Sequence, residues 1–183
     1  DIIKDADSHN RFGFEEIIYL LLFGELPTLE ELNQFKSFMG ARRNMPMNFT
    51  EDMILKTPAA DIMNKLARET LSSYSYDFNP EDVSAANVLR QCIELIARFP
   101  TMVSYAYQAK RRHFEGKSMY IHMPKEELST AENFLRMIRS DKQYTKLEAE
   151  ILDLALILHA EHGGGNNSTL AVHVVSSADT DTY

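Results

Sequence analysis

Two histidines three residues apart stand at the end of an apolar helical pattern and run into three glycines and a polar cap. The stretch reads His159-Ala160-Glu161-His162-Gly163-Gly164-Gly165-Asn166-Asn167-Ser168. No other part of the chain joins titratable groups to so much backbone freedom. At i and i+3 the imidazoles share a helix face, at the end where the last carbonyls lack intrahelical donors. Glycine loses more conformational entropy on ordering than any other residue, and a fold accepts that where backbone must turn sharply or approach something closely. Three chemistries suit the pair. The imidazoles can cap the last helical carbonyls, a structural role worth about 0.3–1 kcal/mol. They can chelate zinc together with Glu161 or His173, although no HExxH or cysteine pair accompanies them. Imidazolium and glycine amides can also jointly grip a carboxylate-bearing substrate.

The other candidates carry plainer readings. Lys110-Arg111-Arg112 is a solvated helix end favoured by the dipole. Cys92 lies inside an apolar pattern, packs as a small hydrophobe and has no activating base beside it in sequence. The nine methionines read as core filler, and His9, His113, His122 and His173 as ordinary surface or core residues. Neither a P-loop nor a GxGxxG occurs, so no nucleotide fingerprint points to a kinase or dehydrogenase. No metal and no cofactor is assigned.

The elements that must position the turn are helical. Phe14 to Phe23 reads as a buried helix with acidic residues in its first turn and Gly24 beyond its end. Thr28 with Glu31 forms a capping box ahead of Leu32, Phe35 and Met39 on one face. A loop follows from Arg42 to Thr50. A helix opens at Thr57-Pro58, turns Ile62, Met63 and Leu66 inward, and fades between Ser72 and Tyr76. Asn79-Pro80 is a cap followed by a first-turn proline. That helix is broken or kinked at Pro100, and a second resumes from Met102 to about Arg112, closed by Gly116. Ser129 with Glu132 and Thr145 with Glu148 are two further capping boxes. Behind the last, Leu147, Ile151, Leu154 and Leu158 form an amphipathic stripe on the helix that delivers His159 and His162. Residues 168 to 177 mix strand-favouring valines with an Asn167 cap and are read as helix. With no hairpin signal, heptad run or internal repeat, the fold class is all-α, a single multi-helical domain over residues 1–183.

Composition narrows the function classes. The chain has 183 residues, 44% hydrophobic and 25% charged, values ordinary for a globular protein. A net charge of −8, from 27 acidic and 19 basic residues, disfavours nucleic acid and anionic membrane as non-specific partners. A local basic site for an anionic substrate remains compatible with it. One cysteine permits no intrachain disulfide framework and fits a reducing, cytoplasmic setting. The apolar runs are too short to span a bilayer. The chain begins at Asp1 and stops at Tyr183 within a polar run, which suggests a piece of a longer protein.

The ten-residue segment resembles the His-x-x-His-x-Gly-Gly-Asn-x-Ser segment of citrate synthases. Tyr19 to Thr28 resembles the family's early Leu-Leu-x-Gly-x-Leu-Pro segment, Leu95 to Thr101 its Pro-Thr flanked by helices, and Ser129 to Leu135 the stretch before the histidine helix. Four pieces in the right order implicate an all-α enzyme that joins acetyl-CoA to oxaloacetate, giving citrate and CoA at the entry to the tricarboxylic acid cycle. The resemblance implies that His162 binds oxaloacetate and that Ser168 hydrogen-bonds and orients the catalytic histidine. It implies that Asn166 is a weaker, mainly structural member of the motif, and it leaves His159 a weaker substrate-side candidate. Gly163 stands where many members carry Glu. It further implies a homodimer through the helices flanking Pro100. The family's catalytic-base motif, Gly-Pro-x-His-Gly, does not follow Ser168 here. The chain is thus expected to be part of the large domain, without the small domain and inactive alone. A propionyl-CoA-using 2-methylcitrate synthase and a non-catalytic all-α metal or interaction module are the alternatives.

Overall fold

The computed structural model describes residues 2–8, 11–161, 163 and 165–183. Among these the chain is all-helical: α1 (Ile2–Ser8), α2 (Phe14–Phe23), α3 (Leu29–Gly40), α4 (Ile62–Ser73), α5 (Ala85–Glu115), α6 (Thr130–Ile138), α7 (Lys146–His159) and α8 (Asn167–Ser176). A wide π-helical turn, Thr50–Leu55, precedes α4, and a 3-10 turn, Tyr74–Tyr76, follows it.

The capping boxes form as the spacing requires. At Thr28, Ser129 and Thr145 the side chain accepts from the amide three residues on, and that glutamate accepts from the cap's own amide. Each box satisfies two of the four donors that a helix start leaves open. Gly24 and Gly116 end α2 and α5 with positive φ.

The long helix α5 is the axis of the fold, and α3, the π-turn, α4 and α6 all pack on it. One core joins Phe49, Ile54 and Leu66 to Met102, Tyr105 and Ala106 of α5. A second joins Ile18, Phe35 and Met39 to Ile93 and Ala97 of α5. In turn α6 carries α7, and α7 also packs on α2. The helix that ends at His159 is therefore held from two sides.

Several expectations change. The helix does not break at Pro100: α5 runs unbroken for 31 residues. A proline costs one amide donor and crowds one carbonyl, and packing against four neighbouring elements holds the helix through it. The start of α5 lies at Ser84 rather than at Asn79, whose carbonyl instead accepts from Asn87 (3.0 Å) and Gln91 (3.3 Å). The helix expected from Thr57 begins at Ile62, capped by Asp61, and Met63 faces solvent.

Charge is buried where apolar residues were expected. In α2 the enclosed side chains are Glu15, Glu16 and Ile18, while Leu21 and Phe23 lie exposed. Glu15 accepts from the Thr130 amide (2.7 Å), tying α2 to the start of α6, and faces Arg43 at 3.8 Å. Arg43 donates to the carbonyls of Lys125 and Leu128, so one guanidinium pins the loop before α6. Glu16 accepts from Arg11 (2.7 Å). The apolar stripe of α7 is also inverted. Leu147, Ile151, Leu154 and Leu158 point outward, and the inward residues are Ala149 and Asp153. A helix apolar nearly all round has no phase that tells which face packs.

Candidate functional site

The site begins with what fixes α7. Glu148, the third residue of its capping box, also accepts two hydrogen bonds from Arg139 (3.0 and 2.6 Å). The Arg139 guanidinium, with the Thr145 amide and hydroxyl, holds its carboxyl down at about 2. Midway along α7, Asp153 reaches α2 and accepts from the amides of Gly13 (2.8 Å) and Phe14 (3.2 Å). It thus caps α2 from another helix, supplying what Gly13 cannot supply itself. Burial pushes the Asp153 carboxyl up to about 6, against the two amides that favour its charge.

At the far end of α7 the exposed His159 donates from Nδ1 to the Ala155 carbonyl (2.7 Å). A carbonyl only accepts, so Nδ1 carries the proton and the ring caps its own helix. That is the capping role foreseen for a histidine at this position. The chain then turns. Glu161 accepts from the Gly163 amide (2.6 Å), and the Gly163 carbonyl accepts from the Asn166 side chain (2.9 Å). Gly163 has φ +82, a conformation that a Cβ strains. Asn166 sits outside the next helix, and its Oδ1 accepts from the Thr169 amide (2.8 Å), capping α8. The expected strand-or-helix stretch is therefore helix, opened by Asn166 rather than by Asn167. Ser168 lies exposed in its first turn.

The structure thus joins Glu161, Gly163 and Asn166 in one surface turn, with His159 at the end of α7 and Ser168 in the first turn of α8 on either side of it. The amides at the start of α8 and its positive dipole end face the turn, a setting suited to carboxylate groups. His162 and Gly164 lie outside the described residues, as does His9. Among the described residues no three of His, Cys, Asp and Glu are grouped as a metal site would need. Cys92 is half-buried, and burial pushes its thiol up, away from nucleophilic use.

Two functional supports escaped the sequence reading. Asp153 is a lone acid between Leu152 and Leu154, and that placement is the only local hint of it. The other is Asp77, whose side-chain partners lie 13 to 106 residues away.

Comparison with known proteins places this architecture. The family model described as "Citrate synthase, C-terminal domain" matches residues 3–183. A citrate synthase of Haloferax volcanii is 34% identical over 188 residues, covering 100% of this chain and 46% of its own length. The 2-methylcitrate synthase 1 of Corynebacterium glutamicum is 33% identical over 177 residues, 93% of this chain and 44% of the relative. The crystal structure of citrate synthase from Pyrobaculum aerophilum superposes with a TM-score of 0.83 at 29% identity, over 99% of this chain and 45% of that one. The chain spans less than half the length of these relatives. With the match running along almost every residue, and the glycine turn seated between α7 and α8, this chain belongs to the citrate synthase family.

Proposed function

We propose that the chain supplies part of an enzyme that condenses acetyl-CoA with oxaloacetate, releasing citrate and CoA. Family membership over residues 3–183 is the observation that carries this reading. In the proposed chemistry the acetyl methyl loses a proton to a base, and the resulting carbon nucleophile adds to the oxaloacetate carbonyl. Water then cleaves the thioester, freeing CoA. A methyl beside a thioester is a weak acid, so the base must be positioned and the enol stabilised.

The residues of the glycine turn take these roles. His162 binds oxaloacetate and orients its carbonyl, the two carboxylates lying near the amides that open α8. Ser168 orients a catalytic histidine that this sequence does not contain. Asn166 shapes the turn, and its observed cap of α8 supports that assignment. His159 lies beside the site but already spends Nδ1 on its own helix, which favours an accessory role. No cofactor is needed, acetyl-CoA being a substrate. A homodimer through α5, a cytoplasmic setting and a place at the entry of the tricarboxylic acid cycle complete the proposal. No helix among the described residues is long and apolar enough to cross a membrane.

Relatives named citrate synthase, from Haloferax volcanii and Corynebacterium glutamicum among others, outnumber the 2-methylcitrate synthase among the similar proteins, which supports acetyl-CoA ahead of propionyl-CoA. The test is thiol release from acetyl-CoA with and without oxaloacetate, by an enzyme extended to the relatives' length. Oxaloacetate-dependent release that collapses in His162→Ala is expected. Release with propionyl-CoA alone would change the acyl substrate, and no release with either would overturn the reading. The 183-residue chain by itself is expected to release none.

A further inference from the structure

Asp77 lies in the loop between the 3-10 turn and α5, and its side chain is 1% exposed. It accepts from the Asn79 amide (2.8 Å), from Arg90 (2.8 Å to each oxygen) and from Gln91 (3.2 Å). A further donor comes from 106 residues away, the Tyr183 hydroxyl at 2.6 Å. Beside it Gln91 is wholly buried, donates to Asp77 and to the carbonyls of Asn79 and Pro80, and accepts at Oε1 from the Thr182 hydroxyl. The loop 77–82 and the first two turns of α5 thus form a socket, and Thr182 and Tyr183 fill it. A short O–H···O⁻ bond to a buried carboxylate is among the stronger hydrogen bonds available.

Between socket and α7 runs the segment that carries Asn166 and Ser168. α8 buries none of its residues. The turn before it carries glycines, and the turn after it places Asp179 at φ +57. With no buried face to fix α8, its placement depends on its two ends: α7 with the glycine turn at one, residues 182 and 183 at the other.

We infer that Tyr183, Thr182, Gln91 and Asp77 form a clasp that positions α8, and through it the glycine turn and Ser168. Tyr183 is a positioning residue for the proposed oxaloacetate site, so the functional side of the inference rests on the citrate synthase reading. Burial and the adjacent Asp77 carboxylate both push the Tyr183 phenol up, so the hydroxyl keeps its proton as a donor. Burial opposes the charge on Asp77, yet Tyr183, Asn79, Arg90 and Gln91 together hold its carboxyl down at about 2. The clasp is therefore formed across the neutral range.

Hydrogen exchange on the 183-residue chain tests the clasp itself, using Tyr183→Phe, Thr182→Val and Asp77→Asn. Amides of residues 163–176 are expected to exchange about tenfold faster in Tyr183→Phe, the size of one charge-assisted hydrogen bond, with α3 and α6 unchanged. Faster exchange confined to residues 177–183 would overturn the inference, as would a uniform rise across the whole chain. In an enzyme extended to the relatives' length, Tyr183→Phe is expected to raise KM for oxaloacetate with little change in KM for acetyl-CoA. Equal loss for both substrates would make the tail a general support and overturn the positioning role. If the unsubstituted enzyme shows no oxaloacetate-dependent release, the activity reading falls, and the exchange measurement still decides the clasp.

Discussion

At the residue scale the molecule places carboxyl groups where water cannot reach them. Glu69 and Lys65 are buried together, with Nζ to Oε1 at 3.5 Å, and Lys65 also donates to the Met53 carbonyl and to Thr57 (2.7 Å). Burial pushes Glu69 up to about 7, outweighing the attraction of Lys65, and pushes Lys65 down. Glu69 and Asp153 both hold a proton more tightly folded than unfolded, so their contribution is full below the ordinary carboxylate range. It is lost as pH rises through about 6 for Asp153 and about 7 for Glu69. Asp77 and Glu148, both held at about 2, act oppositely and lose their contribution as pH falls toward that value. Urea unfolding is therefore expected to show greater stability at pH 5 than at pH 8, and Glu69→Gln is expected to flatten that decline. A stability that rises from pH 5 to pH 8 would contradict it. Lys65→Met leaves Glu69 buried and unpaired and is expected to cost about 3–5 kcal/mol, with much of that recovered in Lys65→Met/Glu69→Leu. A denaturant series on both variants checks the pair.

At the element scale the most exacting joint is the end of α3 against the loop before α6. A Cβ on Gly40 would stand 2.4 Å from the Glu126 carbonyl oxygen, a backbone atom that Arg43 also holds in place. Gly40→Ala is expected to destabilise by about 1–3 kcal/mol, the range of an overpacked core position, read as a lower thermal midpoint. Asp153→Ala, which strips the cap from α2, is expected to cost about 1–2 kcal/mol. The elements also show which signals a sequence carries. Thr28/Glu31, Ser129/Glu132 and Thr145/Glu148 were legible because a capping box is complete within four residues. So was the turn at Gly163 and Asn166, which bond only to close neighbours. The continuity of α5 through Pro100 was not legible, since only contacts from four other elements override a proline. The direction of the α7 stripe was equally hidden, because Leu147 and Ile151 differ from Leu152 and Leu156 in their surroundings and not in their chemistry. Asp153, Glu15 and Tyr183 bond to partners more than 100 residues away, beyond the reach of any local pattern.

At the scale of the whole molecule, apolar surface is left uncovered. Leu147, Ile151 and Leu158 of α7 are 64%, 59% and 60% exposed, and Leu170, Val172, Val174 and Val175 of α8 are exposed with them. An apolar groove of about 440 Å³ runs between α5 and α7, lined by Leu95, Ile96, Phe99, Phe134, Leu152 and Leu156. Exposed apolar side chains of this kind on α7 offer a contact between copies besides the proposed one through α5. At tens of micromolar the chain is expected to sediment above the monomer mass, and Ile151→Glu with Leu158→Glu is expected to shift it toward monomer. A strict monomer at high concentration would contradict this. The bond from Asp153 to Gly13 spans 140 residues, and it sets an order of events when the chain is made. At a synthesis rate of 5–20 residues per second, Gly13 is made roughly 7 to 28 s before its cap. For that interval the first amides of α2 bond to water in place of the Asp153 carboxylate, so the fixed start of α2 belongs to a late stage of folding.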